Sequence, residues 1–155
     1  MNVTVKQIGI ILLVSGFLAL VSNLVHPRRI PWVQDWSGHV EAKARKLGIG
    51  VIPLSGALER FKQSGSVFID ARSPEEYAKG HIPGSLSVPL NSLDEQFETI
   101  GNLIDSGREL VVYCRNRECD DALVLATELK GIGATNLIYY VDGFDAWIKY
   151  GGASE

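Results

Sequence analysis

The sequence predicts an α/β domain built on a central, mostly parallel sheet and preceded by one N-terminal transmembrane helix. Two observations carry this: short continuous apolar runs alternate with helical patterns from residue 49 onward, and an uncharged apolar stretch lies near the N-terminus. Size is the third, because 155 residues, 46% of them hydrophobic and 21% charged, suffice for one globular domain and an appendage. The expected division is a transmembrane anchor over residues 1–27, a juxtamembrane connector over 28–48 and the domain over 49–151. A net charge of −3 offers no basic surplus for phosphates, so nucleic acid is not an expected partner. Two cysteines are too few for a disulfide scaffold or a four-cysteine zinc site, and His26, His39 and His81 lack ligand spacing. Neither a metal nor a cofactor is therefore expected.

The run Ile8 to Val25 carries no charge, and Asn23 is its one strongly polar member. With Gln7 and His26 at its edges it approaches the ~20 apolar residues that cross a hydrocarbon core. It is long for the apolar region of a cleaved signal peptide, and Ala19-Leu20-Val21 is a poor cleavage site. A buried core helix would need cover on every face. Lys6 precedes the run, whereas Arg28, Arg29, Lys43, Arg45 and Lys46 follow it, so a single-pass protein with its domain on the cytoplasmic side is expected. Trp32 and Trp36 sit where interfacial aromatics lie, near the turn residues Pro27 and Pro31. Val40 to Leu47 reads as a short amphipathic helix within the connector.

Gly50-Val51-Ile52 opens the alternation as a strand, followed by a helix that Ser55 starts and Gly65 ends. Val67 to Asp70 is a second strand, and Ser73-Pro74-Glu75-Glu76 combines an N-cap, a first-turn proline and a glutamate at the third position, for a helix ending at Gly80. Leu86-Ser87-Val88 is a short strand before a helix over Leu93 to Ile104. Leu110 to Tyr113 is the most apolar strand, a helix over Asp121 to Lys130 follows, and Leu137 to Val141 is the last strand before a closing helix over Phe144 to Tyr150.

In open parallel sheets ligands bind beyond the carboxyl ends of the strands. Cys114 ends the strand Leu110 to Tyr113, and the polar loop Arg115-Asn116-Arg117-Glu118-Cys119-Asp120 leads into a helix. Loop amides, the positive end of that helix and the two arginines all favour a thiolate. Taken alone, a cysteine there is equally a small buried hydrophobe.

The context is more specific. Phe68-Ile69-Asp70-Ala71-Arg72-Ser73-Pro74-Glu75-Glu76-Tyr77, Gly80-His81-Ile82-Pro83-Gly84-Ser85, Val112-Tyr113-Cys114 and Asp142-Gly143-Phe144-Asp145-Ala146-Trp147 follow one another in order. Over residues 50 to 150 this resembles the rhodanese family. The resemblance implies a rhodanese-like three-layer fold with a central parallel sheet, and a cysteine at the Cys114 position that carries sulfane sulfur as a persulfide. The loop Arg115 to Asp120 would be the substrate-binding pocket, its amides pointing inward. Asp70, Arg72, Glu76, His81 and Trp147 match the family as structural positions: Asp70 and Arg72 as a buried ion pair or turn, Glu76 pairing with Arg72, His81 as part of a scaffold turn, Trp147 packing the closing helix. Asp142-Gly143 replaces the more usual Gly-Gly.

The loop departs from the commonest family pattern, with Arg117 and Cys119 where a glycine and an arginine are usual. It is similar to membrane-anchored rhodanese-like proteins that carry a second cysteine five residues after the first. Arg115 or Arg117 could hold an anionic donor, whereas Glu118, Asp120 and Asp121 repel one. A phosphatase is disfavoured because Asp120 stands where an arginine would clamp phosphate. The expected function is a sulfurtransferase acting through Cys114, with a small sulfur donor such as thiosulfate, a thiol acceptor, membrane lipid around the helix and a membrane-protein partner. The alternatives are a dithiol redox protein using Cys114 and Cys119, and a non-catalytic binding module. Cys119 is a candidate resolving thiol: a disulfide closes if the two Cα atoms lie within about 4.4 to 6.8 Å. Otherwise it is a small residue filling the arginine slot.

Overall fold

The computed structural model describes residues 5–26 and 37–155, in two units, residues 1–34 and 35–155. Trp32, Trp36, Pro27, Pro31, Arg28 and Arg29 lie outside the described residues. In the first unit, helix α1 (Val5–Val25, 21 residues) has no buried residue, and its apolar side chains are spread around its whole circumference. Its most apolar window has a mean hydropathy of 2.4, long and apolar enough to cross a membrane, as the helix of a signal sequence also is. At the α-helical rise it is about 30 Å long, the thickness of a hydrocarbon core.

The second unit is a sheet with helices on both faces. Its strands are β1 (Gly50–Ile52), β2 (Val67–Asp70), β3 (Leu86–Ser87), β4 (Leu110–Tyr113) and β5 (Leu137–Tyr140). They run parallel in the order β1-β5-β4-β2-β3, with Ile69 beside Val112 and Val112 beside Tyr139. The helices are α2 (Ser37–Lys46), α3 (Leu54–Gln63), α4 (Pro74–Lys79), α5 (Phe97–Asp105), α6 (Asp121–Gly131) and α7 (Gly143–Lys149). Because strand side chains alternate, Ile69, Leu110, Val112 and Tyr139 pack with residues of α2, α5 and α6. Phe68, Val111, Tyr113 and Tyr140 pack on the other face with Ala57 of α3 and Trp147 of α7. These are the three layers expected.

Boundaries differ where long-range contacts replace local signals. Helix α3 begins at Leu54, not with Ser55 as its cap, because the Leu54 amide donates to Asp142 Oδ2 at 2.7 Å. It closes at Ser64, whose φ of 54° is left-handed, one residue before the expected glycine. Short 3-10 turns at Leu90–Ser92 and Asp94–Gln96 precede α5, so the helix expected from Leu93 starts at Phe97. Helix α4 has the expected cap, with Ser73 Oγ accepting from the Glu76 amide at 3.3 Å. Helix α2 falls in the segment expected as a connector, yet Val40 and Ala44, one turn apart, are buried in the core that also holds α6. The Lys130 ammonium donates to the Leu47 and Gly48 carbonyls at 2.6 and 3.1 Å, closing the end of that helix.

Candidate functional site

Cys114 continues the alternation of Leu110 and Val112 toward the α6 face and is 2% exposed. The chain then leaves the sheet, and the start of α7 holds it: the Phe144 amide donates to the Cys114 carbonyl and the Asp145 amide to the Arg115 carbonyl, both at 2.9 Å. Gly143, with φ of +70°, makes that approach possible, since a Cβ there would lie 2.5 Å from the Arg115 carbonyl oxygen.

Asn116 turns the loop back. Its side-chain oxygen accepts the Glu118 amide at 3.1 Å and its carbonyl the Cys119 amide at 3.2 Å. These two amides are thus bonded to Asn116. The turn brings the Cys119 Cα to 6.2 Å from that of Cys114, and the two sulfurs form a disulfide.

The arginines are held by acids. Arg115 donates to Glu76 through Nε at 2.8 Å, and Arg117 donates to Asp142 at 2.6 Å and to Glu41. Burial raises the Glu76 carboxyl, but the hydrogen bond and charge of Arg115 outweigh it and leave Glu76 below its ordinary pKa. Burial likewise works against the Arg117 cation, and Asp142 and Glu41 more than offset it.

A cavity of about 340 Å³ opens here, lined by Glu76, Cys114, Arg115, Asn116, Glu118, Cys119 and Asp121. Among the expected loop residues, Arg117 and Asp120 do not line it. Arg117 is drawn to Glu41 and Asp142, and Asp120 lines a neighbouring hollow with His39, Val40 and Glu118. Glu76, expected to pair with Arg72, instead forms the cavity wall with Arg115. Asp121, expected to repel an anionic donor, does line the cavity. Glu41 was not expected near the loop, and nothing local marks it, while Gly143 was visible only as part of the Asp142-Gly143 motif.

The remaining motif residues form a scaffold beside the cavity. Arg72 pairs with Asp70 at 2.6 Å with both side chains buried, donates to the Gly80 carbonyl at 2.8 Å and lies 4.0 Å above the Phe144 ring. Desolvation opposes the Arg72 cation, yet its bonds to Asp70 leave its pKa raised. His81 stacks on Tyr77 with ring centroids 3.7 Å apart and does not line the cavity. The Tyr113 hydroxyl accepts the Ile82 amide at 3.2 Å, lies 3.0 Å from Ser85 Oγ, and is pushed well above its ordinary pKa by burial. Trp147 is fully buried, its indole N–H donating to the Ala153 carbonyl at 2.7 Å.

Among the described residues, Cys114, Cys119 and Asp121 hold potential ligand atoms within 4.8 Å of one another. With its sulfurs bonded to each other, the group offers no thiolate to a metal.

The family profile described as Rhodanese-like domain matches residues 54–150. The chain is 32% identical over 97 residues to the thiosulfate sulfurtransferase GlpE of Pseudomonas putida, covering 62% of this chain and 82% of that protein. It is 28% identical over 87 residues to the adenylyltransferase and sulfurtransferase uba4 of Ogataea parapolymorpha, covering 56% of this chain but only 21% of that longer protein. A rhodanese-related protein from Thermoplasma volcanium superposes with a TM-score of 0.55 at 22% identity, covering 68% of this chain and 97% of that one, which speaks to the fold alone.

Proposed function

The chain belongs to the rhodanese-like domain family, and from that premise we propose that it is a sulfurtransferase whose Cys114 carries sulfane sulfur as a persulfide. The observation that carries the reading is the position of Cys114: buried at the end of the central strand β4, yet lining an open cavity. With the disulfide reduced, the Cys114 thiolate attacks the outer sulfur of a donor, and the donor's remaining fragment departs. The N-terminal end of α6, which follows the loop, favours the anionic sulfur. Glu76, Glu118 and Asp121 oppose the single positive charge of Arg115 in the cavity, so a donor with little negative charge, such as the persulfide of an uncharged thiol, is favoured over dianionic thiosulfate.

Helix α1 anchors the protein with its domain on the cytoplasmic side, where the acceptor is a thiol of a small molecule or of a membrane-protein partner. Resistance of the full chain to carbonate extraction tests the anchor, and a reporter fused after Glu155 tests the side. The catalytic reading is tested by exposing the reduced protein to donor and measuring cyanide-labile sulfur. Wild type should load and Cys114→Ser should not, whereas equal loading removes the assignment. A second reading, a dithiol redox protein, draws on the Cys114–Cys119 disulfide. It requires that disulfide exchange occur without any cyanide-labile sulfur.

A further inference from the structure

We propose that Cys119 is a resolving thiol that discharges the Cys114 persulfide within the chain, so that the protein releases hydrosulfide and comes to rest as the Cys114–Cys119 disulfide. The proposal rests on the persulfide reading above. Its starting point is that Cys119 Sγ is bonded to the same sulfur that would carry the sulfane atom. Cys114 Sγ can hold one or the other, so forming the disulfide must expel the outer sulfur.

Three features make the exchange intramolecular. Asn116 bends the loop so that Cys119 stands beside Cys114 without movement of the sheet. Cys119 itself lines the cavity, at a local concentration that a thiol from solution does not match. Glu76, Glu118 and Asp121 line the cavity, and their negative charge repels anionic external thiols. The Asp121 carboxylate lies 3.7 Å from Cys119 Sγ, where it can accept the proton of a free Cys119 thiol.

The step balances. Cys119 gives up its proton toward Asp121, and its thiolate attacks Cys114 Sγ. A bond forms between the two cysteine sulfurs, and the bond from Cys114 Sγ to the outer sulfur breaks. The outer sulfur leaves with the electron pair and takes the proton, departing as hydrosulfide. The sulfane sulfur is reduced by two electrons, and the two cysteines supply them by becoming a disulfide. An external dithiol must then deliver two electrons to reopen the loop for another cycle.

The test uses the full chain in detergent, reduced, loaded with inorganic polysulfide, freed of excess and left without acceptor. Sulfide is followed with a selective assay, and intact mass is read after acid quenching. Wild type should release about one sulfide per chain, losing the added sulfur and ending two hydrogens lighter than the reduced protein. Cys119→Ser and Cys119→Ala should stay one sulfur heavier and release none, and Asp121→Asn should release sulfide several-fold more slowly with a rate that rises toward alkaline pH. The proposal is overturned if wild type keeps its added sulfur, or if the Cys119 variants release sulfide as wild type does. Should no form take up sulfur on Cys114, the persulfide reading fails and the resolving step falls with it, an outcome visible already at loading.

Discussion

Glu41 and Arg117, separated by 76 residues of sequence, form an ion pair that joins α2 to the loop after Cys114. The same guanidinium holds Asp142, whose other oxygen accepts the Leu54 amide. One charged seam therefore ties α2, the loop and the starts of α7 and α3, and none of its three charged residues lines the cavity.

A chain beginning at residue 48 is expected to be less stable than one beginning at residue 37. It loses Glu41 and the burial of Val40 and Ala44, and burying a valine alone stabilises by about 1.5–3 kcal/mol. Urea midpoints of the two truncated forms check this. Equal midpoints would mean that α2 contributes nothing to the domain.

Gly143→Ala should damage the site more than its size suggests. An alanine must adopt a left-handed φ, at a cost of about 1–3 kcal/mol, and its methyl would meet the Arg115 carbonyl. The expected outcome is a lower Tm together with lost sulfur loading. An unchanged Tm and unchanged loading would show that the loop does not depend on this contact.

Arg72→Ala should be among the most destabilising single changes, because it leaves Asp70 buried without its partner. Removing one member of a buried pair costs about 3–5 kcal/mol. The double variant Asp70→Asn with Arg72→Met should recover part of the loss in denaturant melts, and recovery of nothing would assign the cost to lost packing against Phe144.

Glu76 provides a pH signature. Its carboxyl titrates below the ordinary value of 4.5 in the folded protein, so the unfolded chain binds more protons in mild acid. The stability it contributes is complete above that ordinary value and is lost as pH falls through the lowered one. The pair with Arg115 is partly exposed and salt-screened, so the whole effect is at most about 1 kcal/mol. Glu76→Gln should flatten the acid limb of the stability profile, measured at low salt, while an unaltered limb would assign the acid sensitivity elsewhere.

The layers and the position of Cys114 were legible because the strands are continuous apolar runs with clear breaks, and Val112-Tyr113-Cys114 ends at a helix start. The cavity wall was not. Glu76 pairs with Arg115 rather than its near neighbour Arg72, whose guanidinium is held by Asp70 and the Gly80 carbonyl. Arg117 looked like an anion binder because its partners, Glu41 and Asp142, are remote in sequence. Pairings of this kind depend on tertiary geometry, which residue spacing along one element does not encode. Helix α2 was visible as a helix but not as part of the core, since its buried face is little more than Val40 and Ala44.

The hydrogen bonds from Phe144 and Asp145 to the carbonyls of Cys114 and Arg115 also set an order in time. Cys114 is made well before the segment that shapes its surroundings, and its strand β4 lies between β2, already synthesised, and β5, still to come. During translation the thiol therefore exists first with the side chains that line its cavity but without the two hydrogen bonds that hold its loop, which form only as the last helix emerges. A chain interrupted before residue 142 carries Cys114 and its lining residues on a loop that α7 does not yet fasten.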